Sequence, residues 1–307
     1  MYRFRSSLNR KTLNAQYKAL YVKARLQSKW NNELSTCPEL AQTLPPGKSP
    51  EDLLTMSYEE LVDVYLLYRR VFSGLPVPRQ IVLTDSAKRV FSYDSYKTPI
   101  ARFLANPANG FEIYTCVYCD LTDVRTLPNG KRQFDTEHIL DRGECPLVGL
   151  SLYNFCPSCG FCNTNCKHSN PIGKTPLQMK KLGPTSEQYD FEHQVRFVLK
   201  TDEPQALGRI NLDHLEWYNL DFEYKDDDYK EVVSLFDLII RYNQDPIKQE
   251  ALDWRAKAIK NHGIAIAFTA WLHGNSVEAE RKRVLHFDRY QKAHVIGLKM
   301  IEDMIMI

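Results

Sequence analysis

Seven of the chain's eight cysteines fall between Cys116 and Cys166, and the run Asp135-Thr136-Glu137-His138 lies among them. Cys116-x-x-Cys119 precedes that run. After it the sequence offers either Cys156/Cys159 or Cys159/Cys162 as a second pair, with Cys166 close by. A Cys-x-x-Cys knuckle presents two thiolates from one tight turn, and two knuckles supply the four soft ligands of a tetrahedral zinc site. The carboxylates between them suit harder, oxygen-seeking cations. Two asparagines, Asn154 and Asn163, flank the second pair. One short stretch therefore carries a soft ligand set with acidic, imidazole and amide groups interleaved.

Helices are expected to carry this stretch. Over 9–34, Leu13, Tyr17, Leu20, Tyr21, Ala24 and Trp30 share one helical face with basic residues between them. A Pro/Gly-rich break follows at 44–49. Ser57 and Glu60 have capping-box spacing and lead into Leu61, Val64, Tyr65, Tyr68 and Phe72, a helix that should stop near Gly74 and Pro76. Thr98-Pro99 is read as opening a short helix through Leu104, with proline in its first turn. From 114 to about 168 the periodicity gives way to short β-like runs and the turn Pro128-Asn129-Gly130. Beyond Pro184 the chain reads as helical again, chiefly over 229–242, 246–272 and 276–307. The expected fold is mainly α, with a small α+β zinc module inserted in its middle. The expected domains are a basic helical region over 1–110, the module over 111–180 and a helical region over 181–307.

At 307 residues, with 43% hydrophobic and 25% charged residues, the composition is that of an ordinary globular protein. No apolar run reaches the roughly 18 residues of a membrane span. The opening Met-Tyr-Arg-Phe-Arg lacks the apolar core of a secretory signal. A cytoplasmic location is expected, where clustered thiols stay reduced and hold metal. Net charge is only +2, yet it is uneven. Residues 1–36 carry eight Lys or Arg against Glu33 alone, whereas 201–231 carry ten acids against three bases. That asymmetry points to a basic surface for phosphate contact, held apart from an acidic segment.

In order along the chain stand Cys116/Cys119, Glu137-His138-Ile139, Asn154, and Cys159-x-x-Cys162-Asn163. This succession resembles the HNH endonuclease family, specifically members whose ββα-metal site is braced by two zinc knuckles. The resemblance covers 114–168 and nothing outside it. It implies a structural Zn²⁺ on Cys116, Cys119, Cys159 and Cys162. It implies His138 as the general base that activates water, with Asn154 orienting its imidazole. Glu137 and Asn163 would hold one catalytic Mg²⁺ or Mn²⁺, with Asp135, on the same strand face as Glu137, as a further ligand or outer-shell partner. Glu137 stands where the family more often has Asp, and Asn163 where it often has His. His168 is an alternative ligand. Lys167, Lys174 and Arg142 flank the site as candidate phosphate contacts.

The expected activity is hydrolysis of DNA phosphodiester bonds within a bacterial or phage defence or restriction system. Two readings compete: a non-catalytic zinc-scaffolded module that binds nucleic acid or protein, and an HNH nuclease directed at RNA. No glycine-rich nucleotide loop occurs, so a regulatory partner such as an ATPase or sensor would have to supply any nucleotide hydrolysis. The helical C-terminal third is the candidate surface for that partner or for a homodimer.

Overall fold

The computed structural model describes residues 1–203 and 210–260, together with Met300 and Asp303. The expected helix over 276–307, apart from those two residues, and the expected helical stretch beyond Lys260 lie outside the described residues. Two compact units divide the chain. One comprises Tyr2–Tyr118 and Val124–Asp190, and the other runs from Phe191 onward and includes Met1 and Cys119–Asp123. The N-terminal helices and most of the cysteine-rich segment fall in the first of these units.

The first unit begins with α1 (Arg10–Ala19) and α2 (Leu26–Leu34). These replace the single helix expected over 9–34, because Arg25 takes a left-handed conformation (φ 51°) that interrupts the winding. The Asn9 side chain accepts from the Lys11 amide and starts α1. Helix α3 (Tyr58–Ser73) opens on the expected Ser57/Glu60 capping box, buries Leu61, Val64, Tyr65 and Tyr68, and ends at Gly74. Helix α4 (Val77–Val90) was not expected; Pro76, read as a stop, is instead its N-cap, and Pro78 follows in the first turn, where a missing N–H costs nothing. Helix α5 (Tyr93–Ala105) begins before Thr98, so Pro99 sits inside it.

Strand β1 (Asp135–His138) pairs antiparallel with β2 (Phe155–Ser158), with Glu137 opposite Cys156 and His138 opposite Phe155. Before β1, the turn at Pro128-Asn129-Gly130 is present: Gly130 has φ 79°, its amide donates to the Leu127 carbonyl, and Thr126 bridges Arg132. After β2 comes a wide π-type helical turn, Phe161–Lys167, closed by a bond from the His168 amide to the Asn163 carbonyl. Helix α6 (Pro176–Leu182) opens on a Thr175/Gln178 capping box.

The second unit contains the short α7 (Phe191–Gln194), then β3 (Val195–Thr201) and β4 (Tyr218–Tyr224) in a second antiparallel pair. This corrects the all-helical expectation past Pro184. Tyr218, Leu220 and Phe222 are buried while Asn219 and Glu223 are exposed, the alternation of a half-buried strand. Helices α8 (Tyr229–Leu235) and α9 (Leu238–Tyr242) replace one helix over 229–242, separated by left-handed Asp237 (φ 50°). Helix α10 (Asp245–Lys260) packs Leu252 against Tyr218. No helix among the described residues is long and apolar enough to cross a membrane.

Candidate functional site

The four thiolates Cys116, Cys119, Cys159 and Cys162 are all buried, and their sulfur atoms lie within 4.8 Å of one another. A tetrahedral zinc with Zn–S bonds of about 2.3 Å needs sulfur–sulfur edges a little under 4 Å. The cluster could therefore hold a zinc ion with little adjustment. Backbone amides already turn toward the sulfurs, Cys159 N–H to Cys116 Sγ at 3.3 Å and Cys162 N–H to Cys159 Sγ at 3.5 Å. The choice left open by the sequence is resolved. Cys156 stands apart, buried on β2 with its thiol on the Tyr118 hydroxyl at 3.2 Å, and burial pushes its pKa up. Cys166 is half-buried and outside the cluster.

His138 ends β1. Its ring lies edge-on between Tyr93 (4.5 Å between centroids) and Phe155 (4.8 Å), while Arg142 lies over the Tyr93 ring at 4.6 Å. Its Nε2 lies 3.1 Å from the Gly149 carbonyl. A carbonyl can only accept, so Nε2 carries the proton, and in the neutral ring Nδ1 keeps the lone pair. Burial favours that neutral form and lowers the imidazole pKa to about 3. The Gly149 bond opposes this shift, and the charges of Arg142 and Lys167 add to it.

Asn154 does not touch the imidazole. It is fully buried, and its side chain clamps the loop that joins β1 to β2. Oδ1 accepts from the Leu140 amide at 2.7 Å, and Nδ2 donates to the carbonyls of Leu140 (3.0 Å) and Val148 (3.1 Å). The orienting atom on His138 is the Gly149 carbonyl, one residue past that clamp. Asn154 acts on the histidine through the loop.

The acidic candidates separate. Glu137 is 5% exposed and pairs with Lys167, itself 1% exposed, at 2.8 Å. Lys167 Nζ also donates to the His138 carbonyl at 2.9 Å. Burial raises the Glu137 pKa, and the Lys167 charge counters the rise. Lys167 is thus an interior ion-pair partner and is withdrawn from the surface role expected of it. Asp135, by contrast, is exposed and accepts from Asn163 Nδ2 at 3.2 Å. Asp135 and Asn163 together offer hard oxygen donors of the kind Mg²⁺ takes alongside water and substrate phosphate. Glu137, as arranged, does not fit that role, since a cation already neutralises it. His168 is exposed and bonds its neighbour Ser169. Lys174 is exposed on the approach to α6.

Comparison with protein families, with characterised proteins and with solved structures finds no match. Nothing in these comparisons identifies an HNH endonuclease family, and that resemblance stays an expectation from the sequence motifs. Tyr93 and Gly149 were not foreseen as parts of the site. No local pattern marks either, because each reaches His138 from a distant segment.

Proposed function

We propose that this chain is a metal-dependent HNH-type endonuclease that hydrolyses DNA phosphodiester bonds, with His138 as its general base. The observation that carries the reading is the fixed tautomer of His138. Two antiparallel strands followed by a helical turn, braced by a four-cysteine cluster, present an imidazole whose Nδ1 is the proton acceptor. A scaffold without catalysis needs the cysteines, but it has no use for a histidine held this way.

In this mechanism His138 Nδ1 takes a proton from water as the water oxygen bonds to phosphorus. The P–O bond to the leaving oxygen breaks, and that oxygen is protonated from solvent. Asp135 and Asn163 would hold the catalytic cation, which when bound supplies charge neutralisation at the phosphate and the leaving oxygen. Glu137 could join them only if Lys167 let go of it. Lys167 and Gly149 hold the backbone and ring of the base, and Tyr93 and Phe155 limit its rotation. A pKa of about 3 is low for a base working near neutrality, and a phosphate bound beside Arg142 offsets one of the charges that depresses it.

The test is nicking of supercoiled plasmid with Mg²⁺ or Mn²⁺, comparing the parent with His138→Ala at equal zinc content. Metal-dependent nicking that falls by at least about a hundredfold in the variant is expected. Cleavage that survives the substitution would place the active site elsewhere. Absence of cleavage by zinc-loaded parent protein would favour the binding scaffold.

A further inference from the structure

An open cleft of about 520 Å³ lies between α5 and the turn that precedes β1. Its lining includes Arg102, Lys131 and Arg132, with Thr98, Asn106 and Phe134, and contains no carboxylate. Among the described residues none of the three cations forms an ion pair, and Arg132 lies over the Phe134 ring at 5.6 Å. Elsewhere in this unit many basic side chains are matched, Arg79 with Glu39 and Arg89 with Glu33 for example. Three uncompensated cations facing one concavity raise the local positive potential and leave their donors open to an external anion.

Two elements put them there. On α5, Thr98 and Arg102 are spaced i, i+4, with Ala105 a further turn along on the same side. On the turn, the Leu127 amide donates to the Lys131 carbonyl at 2.8 Å and Thr126 bridges Arg132, which fixes the return arm that carries Lys131 and Arg132. Helix α5 links the cleft to the candidate catalytic residues. Tyr93, which packs on His138, is the first residue of α5, and Arg102 follows nine residues later, about 13 Å along the axis. That is roughly four steps of about 3.4 Å along a nucleic-acid strand. Burial raises the Tyr93 pKa, and the charges of Arg142 and then Arg132 oppose the rise, so both guanidinium groups lie within electrostatic reach of the ring beside the base.

We infer that this cleft binds the sugar-phosphate backbone of duplex DNA, with Arg102, Lys131 and Arg132 on phosphates a few nucleotides from the bond presented to His138. The inference deepens the nuclease reading and rests on it. Duplex is favoured over a single strand because single-strand grooves depend on exposed aromatic platforms for stacking, and the one aromatic in this lining, Phe134, is buried. The contacts are charge to phosphate and therefore carry position, not sequence preference.

Binding is best measured by fluorescence anisotropy on a 30-base-pair duplex between 50 and 200 mM salt, in the His138→Ala background so that cleavage does not intervene. The duplex is compared with single-stranded RNA of equal length. Arg102→Ala/Lys131→Ala/Arg132→Ala is set against an equal charge loss at Lys11→Ala/Lys23→Ala/Lys29→Ala, with thermal unfolding confirming that both fold. Each phosphate contact contributes about 0.9 to the slope of log K against log salt, so the cleft variant should flatten that slope by about 2.7. Its affinity deficit at 50 mM should exceed that at 200 mM by roughly fortyfold. The control should move little. Unchanged binding in the cleft variant, loss confined to the control, or binding to RNA alone would each overturn the inference. The nuclease reading is judged separately, by plasmid nicking with the His138-intact protein: nicking with an unaltered salt slope in the cleft variant sinks the cleft alone. A flattened slope without nicking keeps the cleft and sinks the nuclease.

Discussion

Asn154 gives the sharpest test of how the site is built, because its three hydrogen bonds all end on the loop backbone and none on His138. Truncation in Asn154→Ala removes one acceptor and two donors from groups that have no access to water. With a net worth of about 0.5–1.5 kcal/mol per bond, the loss is roughly 3 kcal/mol, rising if the stranded groups stay dry. At about 2–4 °C per kcal/mol this is a fall in Tm of some 6–12 °C. Asn154→Asp is the more telling change. It preserves size and the acceptor for the Leu140 amide, but sets an oxygen against the Leu140 and Val148 carbonyls where an NH₂ now donates. An ionised carboxylate there is buried and repelled; a protonated one can satisfy only one of the two. The isosteric variant should therefore be at least as unstable as the alanine.

Denaturant unfolding of zinc-loaded protein measures both variants, and plasmid nicking on the same samples measures the consequence for His138. Since Gly149 follows the clamped Val148 directly, a loosened loop should lower kcat while DNA binding is retained. If Asn154→Asp unfolds within about 0.5 kcal/mol of the parent, a typical neutral surface change, the clamp argument fails. A direct role for Asn154 toward the imidazole would then return.

The remaining predictions concern the two other fastenings. Cys159→Ser should lose bound zinc and unfold the module, since structural zinc is worth roughly 10–16 kcal/mol of apparent binding energy at neutral pH. Cys156→Ser should keep a full equivalent of zinc by metal analysis, because its thiol faces Tyr118; the reverse outcome would mean the ligand set is misassigned. Glu137→Gln and Lys167→Met should each cost about 3–5 kcal/mol by stranding a buried partner. The double variant should cost clearly less than their sum in a denaturant cycle, and simple additivity would show that the pair is not coupled.

The cysteine pairs, the turn and the first capping box were legible because their signals are local. Knuckles, turn and capping boxes each occupy a few residues, and the ones singled out at Cys116, Ser57 and Gly130 appear where the pattern puts them. What was missed depends on residues far apart or on backbone exceptions. Arg25 and Asp237 break helices by adopting left-handed φ, which neither side chain announces. Pro76, just before α4, is equally compatible with a stop and a start. The alternation Tyr218–Leu220–Phe222 was visible, but was overlooked in a segment dominated by its acidic charge. Glu137 shows the limit most clearly. Strand alternation correctly sets Asp135 and Glu137 on a common side, yet only Glu137 is covered, because Lys167 arrives from the helical turn after β2. No period in the sequence reveals that meeting.

That covering lysine also joins the two halves of the site. In the proposed role of general base His138 would have to be held to within about half an ångström, and three independent ties reach it. Its ring is tied to Gly149, its strand to β2, and its carbonyl to Lys167. The helical turn that delivers Lys167 starts at the second knuckle and also carries Asn163, the partner of Asp135. A metal on the four thiolates would anchor the beginning of this turn, and so set where both side chains emerge. Loss of such a metal should then reach His138 through the same Lys167 bond that a substitution would cut, although no thiolate touches the histidine. The cysteines and the histidine stand together in the sequence for a mechanical reason: the one cluster fixes the lever on which the other rests.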